Sequence, residues 1–225
     1  MSIEVEVLAD DDFASLVGSR LTKAMAGHGD IRMCLATGNT TRPIYQQTSL
    51  AGDPAIFLLD EFGGLPPGDP GRCESSFLRD FPEARFQAPD VDSADPESAA
   101  AAYGEQIHER GIDLAVVGLG RNGHIGMNEP GSNRDSVTRV VELEEATRTG
   151  AMAYGASTKP SWGITVGIAE LMEARELWLV VTGSHKSEIL EATLRGTVGS
   201  HLPATYLRHH PNARTIADVA AAERL

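Results

Sequence analysis

The feature that most constrains this chain is a repeating order of short apolar runs, polar turns and amphipathic stretches. Met33 to Ala36, Ile56 to Leu59, Ile112 to Val117 and Leu177 to Val181 read as near-continuous apolar segments, the pattern of strands in a sheet covered on both faces. Helical patterns fall between them. Asp10 to Asp12 can cap a helix with Phe13, Leu16, Val17, Leu21 and Ala24 on one face, ended by Gly27 and Gly29. Another helix is expected from Pro43 onward. Asp95-Pro96-Glu97 places an N-cap and a first-turn proline ahead of Ala101, Tyr103 and Ile107. Further helices are expected at Thr165 to Glu173 and through Ile189 and Leu194. Ile3, Val5 and Val7 alternate with Glu4 and Glu6, as in a half-buried strand near a sheet edge. This order predicts an α/β fold: a Rossmann-like, largely parallel sheet with helices on both faces. No linker, repeat or low-complexity segment interrupts it, so residues 1–225 are expected to form a single domain.

Charge and cysteine usage narrow the function. The 225 residues carry 32 acidic against 19 basic side chains, a formal charge of −13. Nucleic-acid binding needs a basic face to neutralise phosphates, so no nucleic-acid partner is expected. The two cysteines, Cys34 and Cys73, form neither a disulfide framework nor a CxxC zinc motif and read as reduced thiols. No basic leader and no apolar run approaching about 18 residues is present, which predicts a cytoplasmic protein without a membrane partner.

In open parallel sheets, ligands bind beyond the carboxyl ends of the strands, here the loops at 37–41, 60–65, 118–133 and 182–187. Gly118-Leu119-Gly120-Arg121-Asn122-Gly123 matches the dinucleotide pattern GxGxxG, but Glu129-Pro130-Gly131 follows too soon for the helix that pattern requires. The segment instead reads as a rigid turn presenting polar side chains, His124 and Glu129 among them. Asp60 and Glu61 follow an apolar strand and point to opposite sides, so one overhangs the sheet end. A carboxylate there either acts as a general base or caps a local turn. Thr37-Gly38-Asn39-Thr40-Thr41 offers hydroxyls and backbone N–H groups at a helix start, where anions bind. Lys186, at another strand-to-helix junction, adds a cation to the same anion or is an ordinary solvated lysine. Together these residues suggest proton transfer on a phosphorylated small molecule.

Other candidates carry less. His209-His210 are adjacent and share no helix face, His28 and His108 read as surface residues at helix ends, and Cys73 has Arg72 as its sole cationic neighbour in sequence. No GxSxG nucleophile elbow occurs, and no metal site is expected.

At these same residues the chain resembles the glucosamine-6-phosphate deaminase/isomerase family, which shares its fold with 6-phosphogluconolactonases. The resemblance runs over nearly the whole chain. It rests on Leu35-Ala36-Thr37-Gly38-Asn39-Thr40, on Leu59-Asp60-Glu61-Phe62 with Gly64-Leu65-Pro66 and Ser76-Phe77, and on Gly118 through Gly131 with its Gly-His-Ile-Gly-Met-Asn-Glu-Pro-Gly core. Ile164-Thr165-Val166-Gly167 and Val181-Thr182-Gly183-Ser184-His185-Lys186 complete it. Cys34 to Gly38, Asn122 and Gly163-Ile164-Thr165 look closer to the galactosamine-6-phosphate branch. The resemblance implies ring opening, aldose-to-ketose isomerisation and loss of ammonia from carbon 2, without a cofactor. It implies Asp60 as the base between carbons 2 and 1, His124 in ring opening with Glu129 as its acid, and Thr37, Gly38, Asn39, Thr40 and Lys186 as phosphate-holding groups.

Two positions depart from the family pattern. Asn122 stands where an Asp is usual; an amide can hydrogen-bond His124 but cannot stabilise an imidazolium by charge, which leaves Glu129 as the charged partner. Ala153 stands where a phosphate-binding Arg is expected, so Arg148, Lys159 or Arg42 substitutes or the anion is held differently. The chain ends soon after Glu223, which lends no support to allosteric control by an amino sugar. A sugar-phosphate lactonase and a non-catalytic sugar-phosphate sensor are the rivals. A homo-oligomer is compatible with the sequence, which does not set the number of subunits.

Overall fold

The computed structural model describes residues 3–27 and 29–225; His28 lies outside them. The strands are β1 (Glu4–Leu8), β2 (Arg32–Leu35), β3 (Ala55–Leu58), β4 (Asp60–Phe62), β5 (Phe86–Gln87), β6 (Leu114–Gly118), β7 (Arg139–Glu142), β8 (Trp162–Thr165), β9 (Glu176–Val181) and β10 (Ala213–Asp218). The α-helices are α1 (Phe13–Gly27), α2 (Thr41–Gln46), α3 (Cys73–Asp80), α4 (Pro96–Arg110), α5 (Glu145–Ala153), α6 (Ile168–Glu173) and α7 (Ser187–Arg195). Seven strands form a parallel sheet in the order β1-β10-β9-β6-β2-β3-β5. A small antiparallel sheet, β4-β8-β7, stands beside it.

Alternation along the central strands divides the core. Met33, Leu35, Ile56, Leu58, Leu114 and Val116 face one side and pack with α1, α2 and α3 through Val17, Leu21, Ile44 and Phe77. Cys34, Phe57, Leu59, Ala115 and Val117 face the other, against Tyr103 and Ile107 of α4, Leu171 of α6 and Leu190 of α7. Both faces being covered is why these strands are apolar throughout. β1 lies at the edge, with Val5 and Val7 exposed.

Three local expectations are corrected. In β1 the alternation does not bury the valines: Val5 and Val7 are exposed and Glu6 is half-buried, paired with Arg20 at 2.6 Å. Leu16 is 42% exposed: the buried stripe of α1 runs Phe13, Val17, Leu21, Met25 at four-residue spacing, and Leu16 falls about 100° off that line. Thr165 ends β8 instead of starting a helix, because it pairs with Asp60 and Arg139 in the small sheet; α6 begins at Ile168. The segment after β6 contains no helix, in keeping with the rejected dinucleotide reading. Among the described residues, no helix is long and apolar enough to cross a membrane.

Candidate active site

The carboxyl ends of β2, β6 and β9, with β4 and α5, enclose a cleft of about 590 Å³. Thr37 to Thr41, Asp60, His124, Thr182 and Lys186 line it, so all four strand-end loops contribute.

Asp60 opens β4, and the period-two geometry of that strand sends Asp60 and Glu61 in opposite directions. Asp60 is only 8% exposed at the cleft wall. Burial pushes its pKa up to about 6, partly offset by the Cys73 thiol, which donates to Oδ1 at 3.4 Å, and by the positive charge of His124. Glu61 has a different task. Its oxygens accept the N–H groups of Phe62 (2.7 Å), Cys73 (2.9 Å) and Glu74 (2.8 Å), tying the start of α3 to β4. Burial nonetheless lifts Glu61 to about 7.

His124 lies beyond β6 in the turn that replaces a helix. Its backbone carbonyl accepts the Gly120 N–H at 2.9 Å, and a side chain at Gly120 would overlap the imidazole ring. The turn therefore needs glycine where the ring folds back over it. Nδ1 of His124 lies 3.1 Å from Glu129 Oε2, and Asn122 Nδ2 donates to that same oxygen at 2.9 Å. Asn122 Oδ1 accepts the His124 backbone N–H at 3.3 Å, so the amide braces the turn and Glu129 engages the ring. Thr147, on α5, donates its hydroxyl to Glu129 Oε1 and sits 3.3 Å from His124 Nδ1. Burial pushes Glu129 upward, but the hydrogen bond and charge of His124 with the Thr147 and Asn122 donors outweigh it, leaving the carboxyl below its ordinary value.

The hydroxyl-rich turn joins β2 to α2. Gly38 takes φ +143°, and its carbonyl accepts the Arg42 N–H at 2.9 Å. Thr40 and Thr182 share a hydroxyl hydrogen bond of 2.9 Å that joins two strand-end loops. Lys186 donates to the Leu119 carbonyl at 2.6 Å, and burial together with the charge of Arg121 lowers its pKa to about 8.

None of Arg148, Lys159 and Arg42, the three alternatives offered for Ala153, lines the cleft. Arg42 pairs with Asp80 at 3.2 Å and faces a smaller hollow behind the turn. Arg148 is spent on the Pro160 carbonyl (3.1 Å) and Glu145 (3.5 Å), and Lys159 on Glu145. The cleft instead contains Arg121, whose charge acts on both Lys186 and His185. Arg121 was hidden in sequence because it sits between the glycines of a turn read for its backbone and for His124 and Glu129. Cys73, Thr147 and Tyr154, also in the cleft, come from segments whose place only the small sheet and α5 reveal.

Two further histidines lie away from the cleft. His210 is buried, with Nε2 2.8 Å from the Ala174 carbonyl and Nδ1 accepting the Asn212 N–H at 3.0 Å. His108 is exposed on α4, 3.9 Å from Glu173. Among the described residues no group of three potential metal ligands converges.

Comparison with known proteins places this architecture. Residues 6–217 match the family described as glucosamine-6-phosphate isomerases/6-phosphogluconolactonase. A protein of Rhodopirellula baltica named glucosamine-6-phosphate deaminase is 36% identical over 99% of this chain and 96% of its own length. A solved structure described as a monomeric glucosamine-6-phosphate deaminase of the NagB superfamily superposes with TM-score 0.92 at 26% identity, covering 99% of this chain and 100% of that one. The 6-phosphogluconolactonase of Trypanosoma brucei shares the fold at TM-score 0.75 and 20% identity, covering 99% of this chain and 98% of its own.

Proposed function

The chain belongs to the glucosamine-6-phosphate isomerase/6-phosphogluconolactonase family, and we propose that it is an enzyme converting an amino-sugar 6-phosphate and water into a ketohexose 6-phosphate and ammonia. The observation that carries this reading is the shared cleft: Asp60 and His124 open onto it together with a hydroxyl-rich turn and the cations Lys186 and Arg121.

With Nδ1 of His124 engaged by Glu129, Nε2 is the nitrogen free to take the anomeric hydroxyl proton and deliver it to the ring oxygen, opening the sugar to its aldehyde. Asp60, poised near neutrality by burial, removes the carbon-2 proton, which the adjacent carbonyl acidifies, and returns it to carbon 1. The nitrogen at carbon 2 becomes an imine, water adds there, and ammonia leaves. Thr37, Gly38, Asn39, Thr40 and Lys186 hold the phosphate, with Arg121 as the second cation. Asn122 fixes the turn and donates to Glu129.

Glucosamine 6-phosphate is the substrate the named relatives support. The galactosamine epimer is retained because several motifs resemble that branch, although Cys34, one of them, is sealed in the core and touches no substrate. All the groups invoked come from one protomer, so the site needs no second copy, although a homo-oligomer is not opposed. A single domain over residues 1–225 is supported by the pairing of β1 with β10 from opposite ends of the chain, and a cytoplasmic location suits a phosphorylated substrate.

Ammonia release measured with both hexosamine 6-phosphates tests the reading. Turnover of at least one is expected, falling by about a thousandfold or more in Asp60→Asn, as removal of a general base requires. Lactone hydrolysis without ammonia release, or undiminished activity in Asp60→Asn, would overturn it.

A further inference from the structure

Cys73 belongs to no step above, yet it is buried, lines the cleft and is the side chain that donates to Asp60. Its position is fixed from two sides. It is the first residue of α3, and its backbone N–H is held at 2.9 Å by Glu61, the residue next to Asp60 in β4. Just ahead of it, Gly71 donates to Asp69 Oδ1 at 2.8 Å, and a side chain at Gly71 would collide with Ala156. The loop therefore has little room to shift, and the sulfur faces Asp60 Oδ1 at 3.4 Å.

We infer that Cys73 is a positioning residue for Asp60: its thiol fixes the direction of the carboxylate in the cleft and tempers its hold on a proton. The inference rests on the assignment of Asp60 as the base. A thiol is a weak donor, so it can orient a carboxylate without stabilising its charge as strongly as a hydroxyl or an N–H would. Burial also keeps this sulfur in its protonated, donating form. The surroundings leave it few rivals. The other titratable groups acting on or near Asp60 are Glu61 beside it on β4, His124 from the turn after β6, Cys34 on β2, Tyr45 on α2, Tyr103 on α4 and Tyr154 after α5. Among these, His124 alone can bring a positive charge. Thr165 of β8 pairs with Asp60 through the backbone ladder.

The test compares Cys73→Ala and Cys73→Ser with the unaltered protein, reading kcat and KM for the hexosamine 6-phosphate across pH. A donor stabilises the ionised carboxylate, so its loss makes Asp60 hold its proton to higher pH. In Cys73→Ala the acid limb of kcat/KM should therefore move up by about half a unit to one unit, the size of one hydrogen bond, and kcat should fall about tenfold with KM nearly unchanged. Cys73→Ser keeps a stronger donor, so its limb should lie at or below that of the unaltered protein. A ¹³C carboxyl titration of Asp60 in the same three proteins should show the same order and does not depend on turnover. Equal behaviour of the Ala and Ser variants in the titration, or no movement in either, overturns the role of Cys73. An active Asp60→Asn overturns the assignment of the base instead, with the titration still deciding the role of the thiol.

Discussion

Replacing Asp60 with Asn should stabilise the protein near neutral pH even as it removes activity, and the gain should reverse in acid. Asp60 is 8% exposed, and burial lifts its pKa from 3.8 to about 6. A folded-state value above the unfolded one means that the folded protein binds this proton more tightly. The stability from that preference is complete below the unfolded pKa and is lost as pH rises through about 6. The shift of about 2 units, at about 1.4 kcal/mol each, sets a ceiling of about 3 kcal/mol for the cost of ionised Asp60 at about pH 8. Asn is nearly isosteric, carries no charge and can still accept the Cys73 thiol. Its buried NH₂ group cancels part of the gain, which leaves about 1–2 kcal/mol, or about 2–8 °C in Tm for a chain of this size. Thermal unfolding of both proteins from about pH 4 to about pH 8 measures it. The variant should be more stable at the alkaline end, and the difference should reverse at the acid end, where the ionisation cost has gone and the buried NH₂ group remains. A Tm difference that is the same at every pH, or a variant less stable at about pH 8 and equal at about pH 4, would refute the claim that Asp60 is a strained, desolvated base.

Two further substitutions probe the cleft walls. Arg121→Ala should raise KM for the phosphorylated substrate by about 10- to 100-fold with little change in kcat, the loss of one charge-assisted contact, and Arg121→Lys should recover part of it; an unchanged KM in steady-state assays means that the phosphate sits elsewhere. Gly120→Ala places a methyl where the His124 ring lies, so kcat should drop by about a hundredfold with the circular dichroism spectrum retained and Tm lowered, and wild-type turnover in this variant would remove His124 from the chemistry.

The parallel sheet was legible because its strands announce their environment: a run such as Leu177 to Val181 is apolar at every position only because helices cover both faces. The small sheet was not, since β7 and β8 are four residues each and exist through pairing with each other and, for β8, with β4. Thr165 misled for that reason: its local sequence suits a helix start, and a distant partner overrides it. The strand-end rule brought Asp60, His124, Glu129, Lys186 and the Thr37 turn into consideration, because that rule depends on topology alone. The cations failed because their availability depends on contacts that a linear reading lacks. Arg42, Arg148 and Lys159 are each claimed by a carboxylate, Asp80 or Glu145, packed against them in the fold, whereas Arg121 opens onto the cleft.

The net charge of −13 makes that distribution consequential. The field of the whole molecule should repel a sugar phosphate, so long-range steering works against binding. Over about 8 Å, the screening length at physiological salt, nearby groups decide instead. Within the cleft, Lys186 faces Arg121 and a carbonyl instead of an acid, an unfavourable arrangement of like charges until an anion arrives. The acids Asp60 and Glu129 are tied to donors of their own, Cys73 for the first, Thr147 and Asn122 for the second. A substrate with a phosphate at one end and an amine beside its reacting carbon relieves both: the anion settles the paired cations, and the amine finds a carboxylate nearby. A sugar phosphate without the amine would satisfy only the cationic side. On the proposed reading an amino-sugar phosphate should therefore bind more tightly than its simple sugar counterpart, and equal inhibition constants for the two would refute that step.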